Sequence, residues 1–156
     1  MDHISFGVAN STLEDYLTTN IYVNGIDLRV IISEIEANQL TNSRLSVQSG
    51  AYEGISTFIA FHLYDHFCKV TMNEYRYDGD RFALYDYLYS GIPGDHSLSC
   101  QIDFEKDRVI WSDFKNFSRF YPLGFNYGDL QFTFDRQAYL DAIAELRRDK
   151  VNPIYT

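Results

Sequence analysis

His62 and His66 stand four residues apart. On a helix that spacing turns both imidazoles to one side, where they could share one metal ion. The catalytic form HExxH is absent, because Leu63 follows His62. Asp65, next to His66, would point about 100° away on a helix. A third ligand would have to come from His3 or His96, the only other histidines. The plainer reading is two histidines near the edge of an amphipathic helix, with no metal bound. Cys100 lies four residues after His96, and a thiol needs such a base within hydrogen-bond reach to act as a nucleophile. However, Cys100 alternates with Leu98 and Ile102 on an apolar strand face, which predicts burial. We therefore expect no catalytic residue.

Asp78-Gly79-Asp80 has the look of a calcium loop, but the remaining ligand positions and the closing Glu are missing, so it reads as a turn. Gly91-Ile92-Pro93-Gly94 is a rigid turn. It is not a phosphate cradle, and neither GxGxxG nor GxxxxGK[ST] occurs. No cofactor is expected. The tyrosines carry more information. Tyr85, Tyr87 and Tyr89 fall on one face of one predicted strand, and Tyr75 and Tyr77 share a face of its hairpin neighbour. Asp78, Asp80, Asp86 and Asp95 border them. Either a helix covers this face, with hydroxyls reaching solvent at its margin, or the face binds a protein. Tyrosine gives a large contact area at low entropic cost and is enriched at hot spots.

These groups must be placed by a chain of 156 residues, which fits a single domain, 1–156. Hydrophobic residues make up 46% and aromatics 17%, enough for a core and far from disorder. The net charge is −9. Residues 1–40 carry six acids and one base, and residues 71–113 carry nine acids and four bases. A field of that sign repels nucleic acid and anionic lipid and attracts a basic partner. No stretch approaches the roughly 18 apolar residues of a membrane span, and no signal peptide is recognisable. The expected setting is cytoplasmic, with Cys68 and Cys100 as two free thiols.

Asn24-Gly25 predicts a tight turn after a strand at 21–23. Asp27 then caps a helix over 28–38, with Leu28, Ile31, Ile32 and Ile35 at helical spacing. Residues 38–50 read as a loop and 56–67 as a second helix, with Phe58, Ile59, Leu63 and Phe67 on one broad face, although the aromatics there also suit a strand. Strands at 69–77 and 81–89 flank the Asp78-Gly79 turn. Further strands follow at 98–104, 109–114 and 130–134. Whether Val109 and Trp111 or Ile110, Ser112 and Phe114 face the core stays open. Asp135 caps a last helix to about 148, lined by Tyr139, Ile143 and Leu146. The expected class is α+β: an antiparallel sheet of meanders and hairpins with helices mainly on one face.

Several of these segments carry a resemblance. Ile21-Tyr22-Val23-Asn24-Gly25-Ile26-Asp27-Leu28 opens the first helix. Gly91-x-Pro93-Gly94 comes next, then Val109-Ile110-Trp111-Ser112-Asp113-Phe114, then Phe132-x-Phe134-Asp135-Arg136-x-x-Tyr139. Over roughly 20–148 the chain is similar to a group of small acidic bacterial proteins, and these resemble immunity proteins of toxin–immunity pairs, including contact-dependent inhibition systems. The resemblance implies binding to a cognate toxin domain, often a basic nuclease, and no catalysis. Relatives cluster cysteines around the Gly-x-Pro-Gly loop. Tyr89, Ser90 and Asp95 stand there instead, which weakens any metal or redox role. On this reading Asp78, Asp80, Tyr85, Asp86, Tyr87, Asp95 and His96 form the partner-binding surface. The other readings are a small metal-dependent enzyme using His62 and His66, and a regulatory subunit of a larger bacterial complex.

Overall fold

The computed structural model describes residues 1–12, 15–40, 52–87, 97–117 and 125–149. The architecture is mixed α+β, with antiparallel sheets and more strand than helix. Strands β1 (Ile4–Asn10), β2 (Leu17–Val23) and β3 (Ile26–Asp27) form a three-stranded sheet in that order. The second sheet runs β4 (Tyr52–Gly54), β6 (Arg81–Tyr87), β7 (Ser97–Phe104), β8 (Arg108–Phe117), β9 (Phe132–Asp135). The two-residue β5 (Arg76–Tyr77) also pairs with β6. Helix α1 spans Leu28–Leu40 and α2 spans Arg136–Asp149.

The two sheets join at both ends and make a closed circuit. Thr18 bridges Ser56 just beyond β4, and the Thr19 N–H donates to the Ile55 carbonyl at 2.9 Å. At the other end Asp2 bridges Phe134 of β9 in parallel, and its N–H donates to the Thr133 carbonyl at 2.8 Å. The Asp2 carboxylate completes this clasp, accepting from the Thr133 N–H at 2.9 Å and from the Asn24 side chain at 3.0 Å. Where β2 crosses β4 the backbones nearly touch. A Cβ at Gly54 would lie 1.8 Å from the Thr19 carbonyl oxygen, so only glycine fits there.

The circuit encloses an aromatic core. Phe6 packs 4.8 Å from Phe67, which stacks on Trp111 at 6.0 Å, and Trp111 meets Phe134 edge-on at 5.4 Å. The Trp111 indole N–H donates to the Tyr139 hydroxyl at 3.3 Å, which donates to the Phe67 carbonyl at 2.6 Å. This chain of donors leaves both buried polar tips satisfied.

Val109 and Trp111 face this core, while Ile110 and Ser112 are half-buried. Strict alternation would then turn Phe114 outward. A bulge at Asp113, whose φ is +52°, inserts an extra residue and brings Phe114 inside as well. The buried Arg81 guanidinium holds the bulge. It pairs with the Asp113 carboxylate and donates to the Asp113 carbonyl at 2.6 Å.

Both expected caps form. The Asp27 carboxylate accepts the Arg29 N–H at 2.9 Å, and Asp135 accepts the Ala138 N–H at 2.9 Å. Two expected elements do not form. Residues 56–67 are not one helix: a six-residue π-helical turn over Phe58–Leu63 ends where Tyr64 is extended (φ −129°, ψ 177°), and a 3-10 turn follows at His66–Cys68. The run of aromatic and β-branched side chains holds a helix weakly, and tertiary packing overrides the period. Phe67 goes to Trp111 and Leu63 is left 58% exposed. The strand expected at 69–77 shrinks to Arg76–Tyr77, because Lys69 is left-handed (φ 74°) and Asn73–Tyr75 forms a 3-10 turn. In contrast, β1 and β4 form where no strand was expected. Among the described residues no helix is long and apolar enough to cross a membrane.

Candidate functional site

Helix α1 turns Leu28, Ile32 and Glu36 inward, at i, i+4 and i+8 along one face, and all three are fully buried. A carboxylate continuing a core stripe needs strong partners. Glu36 Oε2 accepts the Tyr52 hydroxyl at 2.6 Å and the Tyr127 hydroxyl at 2.5 Å. Asn116 Nδ2 donates to the Tyr52 hydroxyl at 2.7 Å, tying β8 to the same group. Burial first, and the Glu36 charge second, push the Tyr52 phenol far above its usual range. The Tyr127 phenol is pushed up too, by burial, then by Tyr52 and Glu36. Neither phenol yields its proton at neutral pH, so the cluster is a fixed set of donors on one buried carboxyl oxygen.

This cluster fastens α1 over the tyrosine face of the sheet. Tyr52 stands opposite Tyr87, with ring centroids 5.8 Å apart, and lies 6.3 Å from Tyr85. Tyr75 and Tyr77 are buried as well. Glu36→Ala should destabilise the protein by about 3 kcal/mol, because it strands two buried phenols without their acceptor. Glu36→Gln keeps a carbonyl acceptor and should cost about half as much. Urea unfolding of both variants measures the difference.

The expected partner surface is dispersed. Tyr85 is 0% and Tyr87 7% exposed, so their rings belong to the core and offer no contact area. Asp86 is half-buried. It accepts the Tyr75 hydroxyl at 2.7 Å and the Ser97 hydroxyl at 3.3 Å. Asp80 pairs with Lys69 at 2.9 Å. Asp78 stands exposed in the turn. Asp95, His96 and Tyr89 lie outside the described residues, as does the Gly91–Gly94 turn.

The histidine pair does not assemble either. His66 is fully buried and both its nitrogens are engaged: Nε2–H donates to the Ala83 carbonyl at 2.5 Å, and Nδ1 accepts the Thr71 hydroxyl at 2.7 Å. Burial lowers its pKa to about 4, against smaller opposing effects of the Ala83 hydrogen bond and of Asp65. His62 stacks on Phe58, on the far side of the break at Tyr64. Among the described residues no three His, Cys, Asp or Glu side chains converge as a metal site. Cys68 and Cys100 are free thiols. Burial pushes the Cys68 thiol up to about 12, with Asp65 adding to it, and raises Cys100 well above its usual range. Neither forms a thiolate at neutral pH, so neither is poised as a nucleophile.

Sequence reasoning missed two groups. Glu36 was readable, because it extends the Leu28–Ile32 stripe by one helical turn. Arg81 was not, since its partner Asp113 is 32 residues away.

Outside the core, a groove of about 270 Å³ runs between β1 and α2. Asp141 and Glu145 line it one helical turn apart, His3 lines it from the strand side, and among the described residues no lysine or arginine does. A second hollow, near Asp135 and Arg136, mixes both signs of charge. The chain matches no family model, no curated protein and no solved structure among those with which it was compared.

Proposed function

We propose that this chain is a binding protein of the immunity type, which neutralises a basic toxin domain by docking an acidic surface onto it. The observation that carries this reading is the β1–α2 groove, a concave surface with two carboxylates and, among the described residues, no lysine or arginine, on a chain of net charge −9. Such a field steers a cationic partner and speeds its arrival, while close packing sets how long it stays. The interface moves from the tyrosine hairpin to the α2 side, because the tyrosines are committed to the core.

The test is co-expression with the cognate toxic domain, sought in the product of the neighbouring open reading frame. The wild-type chain should restore growth and co-purify with that domain as a one-to-one complex. Reversing both charges, Asp141→Lys with Glu145→Lys, should slow association about tenfold or more at low salt and flatten its salt dependence. Growth that stays blocked, with no complex at micromolar concentrations, would remove the reading.

A further inference from the structure

The β1–α2 groove has the form of a seat for one long side chain. Its volume, about 270 Å³, lies below the roughly 300–1,000 Å³ of sites that enclose a drug-sized ligand. Ala138 and Ala142 sit on successive turns of α2 and leave the helix side of the groove low. Phe6 and Leu146 supply apolar wall, which suits a methylene stem. Asp141 and Glu145, at i and i+4, place two carboxylates on one face of the helix.

The strand side adds a separate element. β1 is the last strand of its sheet, and beyond the Asp2 clasp its outer edge has no strand partner among the described residues. Residues 3–6 line the groove opposite the two acids, and the His3 carbonyl there already accepts the Asn24 N–H at 2.7 Å. Apolar walls and two carboxylates together call for a flexible stem ending in several donors.

We propose that this groove receives an arginine side chain presented by a protein partner. The inference rests on the binding reading above and names the chemistry its partner must offer. Arginine fits better than lysine for two reasons. Its planar head carries five donors and can address two carboxylates at once. A lysine ammonium is a single, strongly hydrated point charge and would gain less from leaving water.

The probe is a short peptide with one central arginine, compared with its lysine and citrulline counterparts, followed by amide chemical shifts of the full chain. The arginine peptide should give saturable shifts confined to residues 3–6 and 138–146. The lysine peptide should bind more weakly, and citrulline, isosteric but uncharged, should give no saturable shifts. Asp141→Asn with Glu145→Gln should weaken the arginine peptide about tenfold with an unchanged melting temperature, since both side chains are exposed. Shifts that do not saturate, that map elsewhere, or that persist in the double variant would overturn the proposal. The two readings fail separately. If the double variant protects cells and binds the toxin domain as well as wild type, the arginine seat falls and the immunity reading stands. If the wild type protects nothing yet binds the arginine peptide in the groove, the reverse holds.

Discussion

Gly54→Ala should lower stability by about 3 kcal/mol or more, the upper range for overpacking. For a chain of this length that corresponds to a fall in melting temperature of roughly 6–12 °C. The added Cβ would sit 1.8 Å from the Thr19 carbonyl oxygen and 2.6 Å from its carbonyl carbon. Both are backbone atoms, so no rotamer change relieves the overlap. Relief requires β2 and β4 to separate, and that breaks the Thr19 N–H to Ile55 carbonyl bond that joins the sheets. Gly7→Ala is the control. Its Cβ would meet the Tyr22 ring at 3.2 Å, a side chain that can give, and the expected cost is about 1 kcal/mol or less. Calorimetry on the two variants decides. Equal, small losses would mean that the β2–β4 crossing yields easily and that closure of the circuit adds little to stability.

His66 should make the fold sensitive to mild acid. Its folded pKa, about 4, lies below the ordinary 6.5. The unfolded chain therefore takes up a proton in a range where the folded chain refuses one. The stability contributed is fully present above about pH 6.5 and is lost as pH falls toward 4. The difference of about 2.5 units corresponds to roughly 3 kcal/mol over that window. Protonation would also give Nδ1 a proton, and it would then no longer accept the Thr71 hydroxyl. Glutamine can still donate to Ala83 and accept from Thr71, so His66→Gln should be less stable than wild type at pH 7 but flatter between pH 7 and 4. Urea titrations at several pH values give the two slopes. Parallel slopes would show that carboxylates, not His66, set the acid limb.

What the sequence made legible were the local features. The α1 and α2 starts were readable because Asp27 and Asp135 cap within three residues of themselves. The hairpin at Asp78-Gly79 was readable because Gly79 takes a positive φ of 70° that few other residues accept. Failures came where a distant partner decides. Nothing near Phe67 announces Trp111, so the period across 56–67 looked helical when the chain had to break at Tyr64 to bring that stack together. The strand phase at Val109–Phe114 could not be read, because the Asp113 bulge changes phase midway under the hold of Arg81.

The candidate site shows the same division. That Tyr85 and Tyr87 share a face was legible from alternation alone. Which side of the protein that face sees depends on α1 folding back to deliver Glu36 to Tyr52 and Tyr127, 16 and 91 residues away. The groove was invisible from either of its walls. It exists only because β1 and α2, from opposite ends of the chain, lie side by side.

The Asp2 clasp also sets an order of events during synthesis. Asp2 and Thr133 are separated by 131 residues, and ribosomes add about 5–20 residues per second. The first strand therefore waits roughly 7–26 s for its second neighbour to exist. Through that interval the nascent β1–β2 hairpin presents Ile4, Phe6 and Val8 with neither α2 nor β9 to cover them. A holdase or the ribosome surface has its longest opportunity there. Cells that translate this message faster shorten the exposure in direct proportion.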